Sequence, residues 1–410
     1  MSSALPRNLS FRVSTYAAML AAAGLPLYIH LPQFATRELG ISLATLGTVL
    51  GLLRLLDLVQ DPALGWLVDR FQTARRLLAT VAGGMMALGF LMLFSFPAVR
   101  GDLLRPILGL ILIFSGFSLG TILFYSQSAA LAAGNEAQML RLAGFREGGS
   151  LTGVILAASA PAVLIAVGPG YGGFGWALAV LCLAATLACR PMWTVASTPE
   201  DRLSFSALRR SGALSILGLA FLNSLPVAMT STLFLFFVED RLLLPALAGP
   251  FLILFFLSAA LSVPFWTRAA RQFGPRRVLL PAMSLAIAAF IGAALLPPGA
   301  ALGFALVCAG SGAALGADMV LLPLMFSLHL NRAGLKAGQA FGLWSAAAKL
   351  ALASAAVLLL PALASLGYTP GSGEPDGLFW LTLAYAVLPC LVKLLAIFMV
   401  AQLPREGALA

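Results

Sequence analysis

Two aspartates one helical turn apart, Asp57 and Asp61, stand in an otherwise apolar run from Leu43 to Val68, with Arg54 one turn before them. Residues three and four apart share a helix face, so the three form one polar stripe. A charge at the centre of a membrane helix costs at least about 2.5–3.5 kcal/mol and persists mainly beside a water-filled cavity, an ion or a substrate. Two carboxylates at this spacing could hold Na⁺ between their oxygens. They could also share one proton, because like charges held close raise one pKa. Arg54 could neutralise one of them when the site is empty. The competing arrangement is a static salt bridge from this helix to a neighbour.

Away from the ends of the apolar runs, only Asp57, Asp61 and Asp318 remain of the 15 acidic residues, and of the bases only Arg54, Lys349 and Lys393. Lys349 has no acid within a turn. Either a partner comes from another helix, Asp57 or Asp61 being the candidates for a gate between the chain's halves, or the lysine snorkels. Lys393 is expected to snorkel to the interface. Asp318, deep in its run, is either a substrate contact or a structural cap. Tyr16, Tyr28, Tyr125, Gln33, Gln127, Asn223 and Trp344 could line a cavity. No Ser-His-Asp set, HExxH or phosphate-cradling GxxxxGK is present, which argues against an enzyme. Cys182, Cys189, Cys308 and Cys390 lack metal-ligand spacing and read as small apolar residues.

The elements that must position these groups follow from composition. The 410 residues are 60% hydrophobic and 10% charged, with a mean hydropathy of +0.98, against about 25% charged in soluble domains. Apolar runs long enough to cross a bilayer, about 20 residues each, recur twelve times. They lie near 11–35, 42–68, 77–99, 103–131, 142–167, 174–190, 213–238, 246–267, 277–296, 300–328, 339–365 and 378–402. The alternating ten-residue segments of a β-barrel are missing, so the expected fold is an all-α membrane protein of twelve transmembrane helices.

The net charge of +10 is topological rather than a nucleic-acid footprint. With the N-terminus inside, eighteen lysines and arginines face the cytoplasm, while only Arg37, Arg100, Arg105 and Arg241 face the other side. This positive-inside asymmetry places both termini in the cytoplasm. No cleavable signal pattern precedes the first span. A polar stretch at 191–212 divides the chain into an N-terminal six-helix bundle, 1–190, and a C-terminal one, 213–410. The halves echo each other: Asp69-Arg70 with Arg75-Arg76 follow the second span, and Arg268 with Gly274-Pro275-Arg276-Arg277 follow the eighth. Two such units around a central pathway are the plan of major-facilitator transporters.

The run Arg54-Leu55-Leu56-Asp57-Leu58-Val59-Gln60-Asp61-Pro62, continued by Gly65-Trp66-Leu67-Val68-Asp69-Arg70, resembles a signature of the glycoside–pentoside–hexuronide:cation symporters, the major-facilitator branch that includes melibiose permease. Phe124-Tyr125, Arg146-Glu147, Leu322-Pro323 and Gly342-Leu343-Trp344 through Lys349-Leu350 extend the resemblance along nearly the whole chain. It implies two six-helix bundles working by alternating access, with a solute driven by Na⁺ or H⁺. Asp57 and Asp61 match the paired cation-site carboxylates, and Lys349 matches a lysine placed near that site. Arg146 and Tyr125 fall where the sugar symporters have an arginine and an aromatic residue near substrate.

Departures accompany the match. Ala21 replaces the sugar-gripping aspartate of the first helix, and Thr121 replaces a third acid in the fourth. Leu328-His329-Leu330-Asn331 and Ala337 replace an acidic pattern around the end of the tenth. The cation machinery is thus better kept than the sugar grip. The resemblance extends to lysophospholipid carriers, whose cargo needs an apolar cavity.

The expectation is a cation-coupled secondary transporter of a small solute such as a sugar or glycoside. Asp57 and Asp61 would bind the ion, with Na⁺ possible there, and Arg54 and Lys349 would balance charge. Tyr125, Arg146, Asp318, Trp344 and Thr121 are the substrate-binding candidates. The alternatives are a lysolipid or amphiphile carrier, or a non-transporting membrane assembly factor on the same scaffold. The expected setting is the cell inner membrane, as a monomer, with the lipid bilayer, a solute and a monovalent cation as partners. Neither a nucleic acid nor a cofactor beyond the coupling ion is expected.

Overall fold

The computed structural model describes residues 7–24, 31, 34–35, 38–41, 43–96, 103–132, 135–168, 170–194 and 205–403. Among them the long elements are all helices. The first long helices are α1 (Arg7–Gly24), α2 (Leu43–Arg70), α3 (Arg75–Phe90), α4 (Leu104–Ala132), α5 (Glu136–Ala166) and α6 (Gly170–Ala188). After a short turn at Phe205–Arg210 come α7 (Ala213–Phe236), α8 (Ala248–Phe273), α9 (Pro275–Ala294), α10 (Ala301–Arg332) and α11 (Ala337–Ser365). The last, α12 (Pro375–Gln402), is one continuous span. Nine helices among the described residues are long and apolar enough to cross a membrane.

Single π turns interrupt this regularity at Leu91–Ser95, Phe237–Arg241 and Leu383–Val387. Two of them meet: Phe237 and Tyr385 stack with centroids 4.1 Å apart and planes 11° apart. They lie in an aromatic core with Phe304 and Phe251.

The chain forms two compact units, Met1–Ala207 with Leu330–Ala346, and Leu208–His329 with Ala347–Ala410. Membrane helices lack a hydrophobic drive to associate and instead pack through small residues that let backbones approach. Each unit uses this device. In the first, Gly149 and Gly153 of α5 abut α1: a Cβ there would lie 2.2 Å from the Ser14 carbonyl oxygen and 2.0 Å from that of Ala18. In the second, a Cβ on Gly312 of α10 would lie 2.2 Å from the Phe255 carbonyl oxygen, and one on Gly316 2.5 Å from that of Ala259.

Gly148, beside Gly149 on the same helix, faces open space. Gly153→Ala is therefore expected to cost about 1–3 kcal/mol by overpacking. Gly148→Ala should be neutral or gain up to about 1 kcal/mol of helix propensity. Thermal unfolding of the purified protein in detergent checks this, and equal effects at both positions would refute the seam.

The basic turns that echo each other in sequence do parallel work. Arg75, at the start of α3, donates to Gln127 Oε1 at 2.6 Å and Ser126 Oγ at 3.3 Å near the end of α4. Gln127 in turn donates to the Met192 carbonyl at 2.7 Å. In the second unit Gly274, at φ 83°, ends α8 and Pro275 opens α9, the usual division of labour between these residues. Arg276 then donates to the terminal carbonyls of α12, Val400 at 3.0 Å and Ala401 at 2.5 Å.

Candidate functional site

Helix α2 carries the acid stripe into the interior of the first unit. Asp57 and Asp61 are both 0% exposed. Asp57 Oδ1 accepts a hydrogen bond from Gln60 Nε2 at 2.7 Å, and Gln60 Oε1 accepts one from Ser115 Oγ of α4 at 2.9 Å. Gln60 follows Asp57 by three residues, so the stripe itself contained this signal. Arg54 lies on α2, and its side chain is outside the described residues. Among the described residues no group of three acids, histidines or cysteines gathers as a metal site. An ion held at the acid pair would draw its other oxygens from neutral groups such as the Gln60 amide.

The C-terminal end of α2 is fixed by a contact absent from the sequence reading. Asp69 Oδ1 accepts from the Gly338 amide at 2.9 Å and Oδ2 from the Gln339 amide at 2.7 Å. These are orphan donors at the start of α11, where a carboxylate is also favoured by the helix dipole. Glycines permit the approach: a Cβ on Gly65 would lie 2.6 Å from the Gly338 carbonyl oxygen, and one on Gly342 2.6 Å from that of Asp61. The first turns of α11 are thereby held against the acid-bearing helix.

That docking completes an aromatic run. Tyr125 of α4 packs on Phe341 with centroids 5.0 Å apart, and Phe341 on Trp344 at 6.4 Å. The Arg146 guanidinium sits 4.2 Å from the Tyr125 ring centre, within cation–π range. Its Nε donates to Glu147 Oε1 at 2.8 Å. Its Nη2 is buried with no hydrogen-bond partner among the described residues. Three of the expected substrate residues, Tyr125, Arg146 and Trp344, thus come together, joined by Phe341, which sequence reasoning did not single out. Phe341 precedes Trp344 by one helical turn, the signal that could have found it. Thr121 lies one turn before Tyr125 on α4, and its hydroxyl has no partner among the described residues.

Asp318 and Lys393 belong to the second unit. Lys393 is 4% exposed, so the expectation that it snorkels is corrected. Its Nζ donates to Asp318 Oδ2 at 2.5 Å and Asn223 Oδ1 at 2.6 Å. The pair satisfies two charges that hydrocarbon would otherwise penalise. Lys349 is buried on α11, in the part that packs with the second unit. Tyr16 is buried between Phe124 and Trp193 at centroid distances of 5.1 and 5.0 Å. Tyr28 and Gln33 lie outside the described residues.

Comparison with solved structures finds the same fold. The human organic anion transporter MFSD10 (TETRAN) is similar at 16% identity and a TM-score of 0.61, covering 97% of this chain and 100% of that one. A bacterial homologue of the iron transporter ferroportin, outward-facing with soaked iron, is similar at 14% identity and a TM-score of 0.66, covering 97% and 99%. The major facilitator superfamily transporter FucP in the outward conformation is similar at 14% identity and 0.64, covering 96% and 98%. No curated protein sequence matches. The family model described as MFS/sugar transport protein matches residues 10–405. With that match across nearly its whole length, the chain belongs to the MFS/sugar transport protein family, a family of major-facilitator membrane transporters.

Proposed function

We propose that the protein is a cation-coupled secondary transporter in which Asp57 and Asp61 bind the driving Na⁺ or H⁺. The observation that carries this reading is a pair of fully buried carboxylates one turn apart on α2. Intramembrane acids of this kind mark ion and proton pathways. Arg54 and Lys349 balance charge as the ion leaves. Twelve spans in two six-helix bundles, both termini in the cytoplasm and residence in the inner membrane complete the proposal. Such bundles move cargo by alternating access around a site near the bilayer midplane.

The solute is a small sugar or glycoside, received by Tyr125, Arg146, Thr121 and Trp344. The buried Arg146 Nη2 is a donor with unused capacity, suited to a solute oxygen, and the aromatic faces suit the apolar face of a sugar ring. The Tyr125–Phe341–Trp344 run, together with Ala21 where the sugar symporters carry an acid, favours a second reading, an amphiphile with an anionic head and an apolar body.

A thermal-shift screen of the purified protein against sugars, glycosides and lysolipids, with and without Na⁺ and across pH, separates these. A ligand at a hundred times its Kd stabilises by about 2.7 kcal/mol. One class should raise the melting temperature, and more so with Na⁺ or at low pH. A binding solute whose shift ignores both would remove the coupling proposal.

A further inference from the structure

The second unit buries an ion pair for which the acid pair on α2 gives no role. Asp318 of α10 is 6% exposed, with Oδ2 occupied by Lys393 of α12 and Oδ1 without a hydrogen-bond partner among the described residues. A cavity of about 30 Å³ adjoins both side chains, walled by Thr230, Phe255, Phe290, Ser311 and Leu315. A water needs about 10–15 Å³ of such space and polar partners. Water here has an acceptor in Asp318 Oδ1 and a donor in the lysine ammonium.

We propose that Asp318 is a second proton-exchange site, held by Lys393 and Asn223 and reached by water through this cavity. The inference goes beyond the Asp57/Asp61 reading and does not rest on it. A proton suits the place better than a metal cation, because the Lys393 ammonium already occupies the cation's position beside the carboxylate. Asp318, Lys393 and Cys390 are the titratable groups lining the cavity. The walls from α7, α8 and α9 contribute none among the described residues. The Cys390 thiol donates to the Ala386 carbonyl at 3.0 Å.

In the exchange step a hydronium in the cavity gives its proton to Asp318 Oδ1, leaving water and a neutral acid. The site's net charge passes from zero to +1. Lys393 keeps its bond to Asn223 of α7 and loses the charge that bound it to α10. A charge that appears within the bilayer is also subject to the membrane potential. Protonation therefore loosens one helix pair while leaving another tied, and gives the second unit its own response to pH.

Infrared difference spectroscopy of the purified full chain, titrated from neutral to acid pH, tests this. Acidification should raise a carboxylic-acid carbonyl band that shifts promptly in D₂O. Asp318→Asn should remove that component, whereas Asp57→Asn and Asp61→Asn should retain it. Lys393→Met should display the band already at neutral pH, because an unpaired buried carboxylate holds its proton. The proposal is overturned if Asp318→Asn leaves the spectrum unchanged, or if Lys393→Met shows no acid band at neutral pH. Should only the Asp57 and Asp61 variants alter the bands, the α2 reading would survive and this one fail.

Discussion

Asparagine at position 57 or 61 is expected to abolish uphill solute accumulation while leaving the protein assembled. The substitution removes charge and preserves shape, and at position 57 the amide oxygen can still accept from Gln60, whose bond to Oδ1 is 2.7 Å. One elementary charge moving through 100 mV is worth about 2.3 kcal/mol, enough to sustain a solute gradient of about fifty-fold. A carrier that cannot load its ion loses that source and should equilibrate its solute. Proteoliposomes loaded with the solute found by thermal shift, under an imposed Na⁺ or proton gradient, measure the difference. Wild type should accumulate tens-fold and the variants about one-fold, with exchange of internal for external solute persisting. Undiminished accumulation by both variants would show that the coupling ion binds elsewhere.

Much of the fold was open to reading along the chain because membrane helices announce themselves by composition. The acid stripe could be read as well, since Arg54, Asp57 and Asp61 recur at the period of one helix, whereas the bond from Gln60 to Asp57 was not read there. What stayed hidden depends on partners remote in sequence. Lys393 looked like a snorkelling residue because its acid lies 75 positions away and its amide partner 170. Asp69 read as one member of a basic turn, whereas its carboxylate lies on amides 269 and 270 residues later. Phe341 drew no notice because an aromatic residue in an apolar run is ordinary, and its packing on Tyr125 appears only once α11 is docked.

The paired basic turns show how local likeness converts into shared structure. Arg75 and Arg276 each follow a helix break between the second and third long helices of a half, and each turns inward to satisfy polar groups at the end of another helix. The likeness in sequence supplied the position of these arginines. Their acceptors differ, a glutamine and a serine in one half and bare carbonyls in the other. The two halves thus share the donor, while the turn that carries it and the far end of each bond differ.

Arg146→Ala is expected to destabilise the first unit by about 3–5 kcal/mol, the usual cost of stranding one member of a buried ion pair. Neighbours in a helix do not normally face each other, yet Arg146 bends back to Glu147 at 2.8 Å while its plane covers Tyr125. Glu147 is 2% exposed, so without the guanidinium it would be a carboxylate in a dry site. Adding Glu147→Gln to Arg146→Ala removes the stranded charge and should restore most of the loss, because deleting both partners of a buried pair is often close to neutral. Arg146→Lys should fall between, keeping the charge but losing the planar stack and the fork of donors. Melting of wild type, Arg146→Ala, Glu147→Gln and the double variant in detergent closes a double-mutant cycle. A single-variant loss below about 1 kcal/mol would mark the pair as water-screened, and a double variant no better than Arg146→Ala would assign the cost to Tyr125 packing instead.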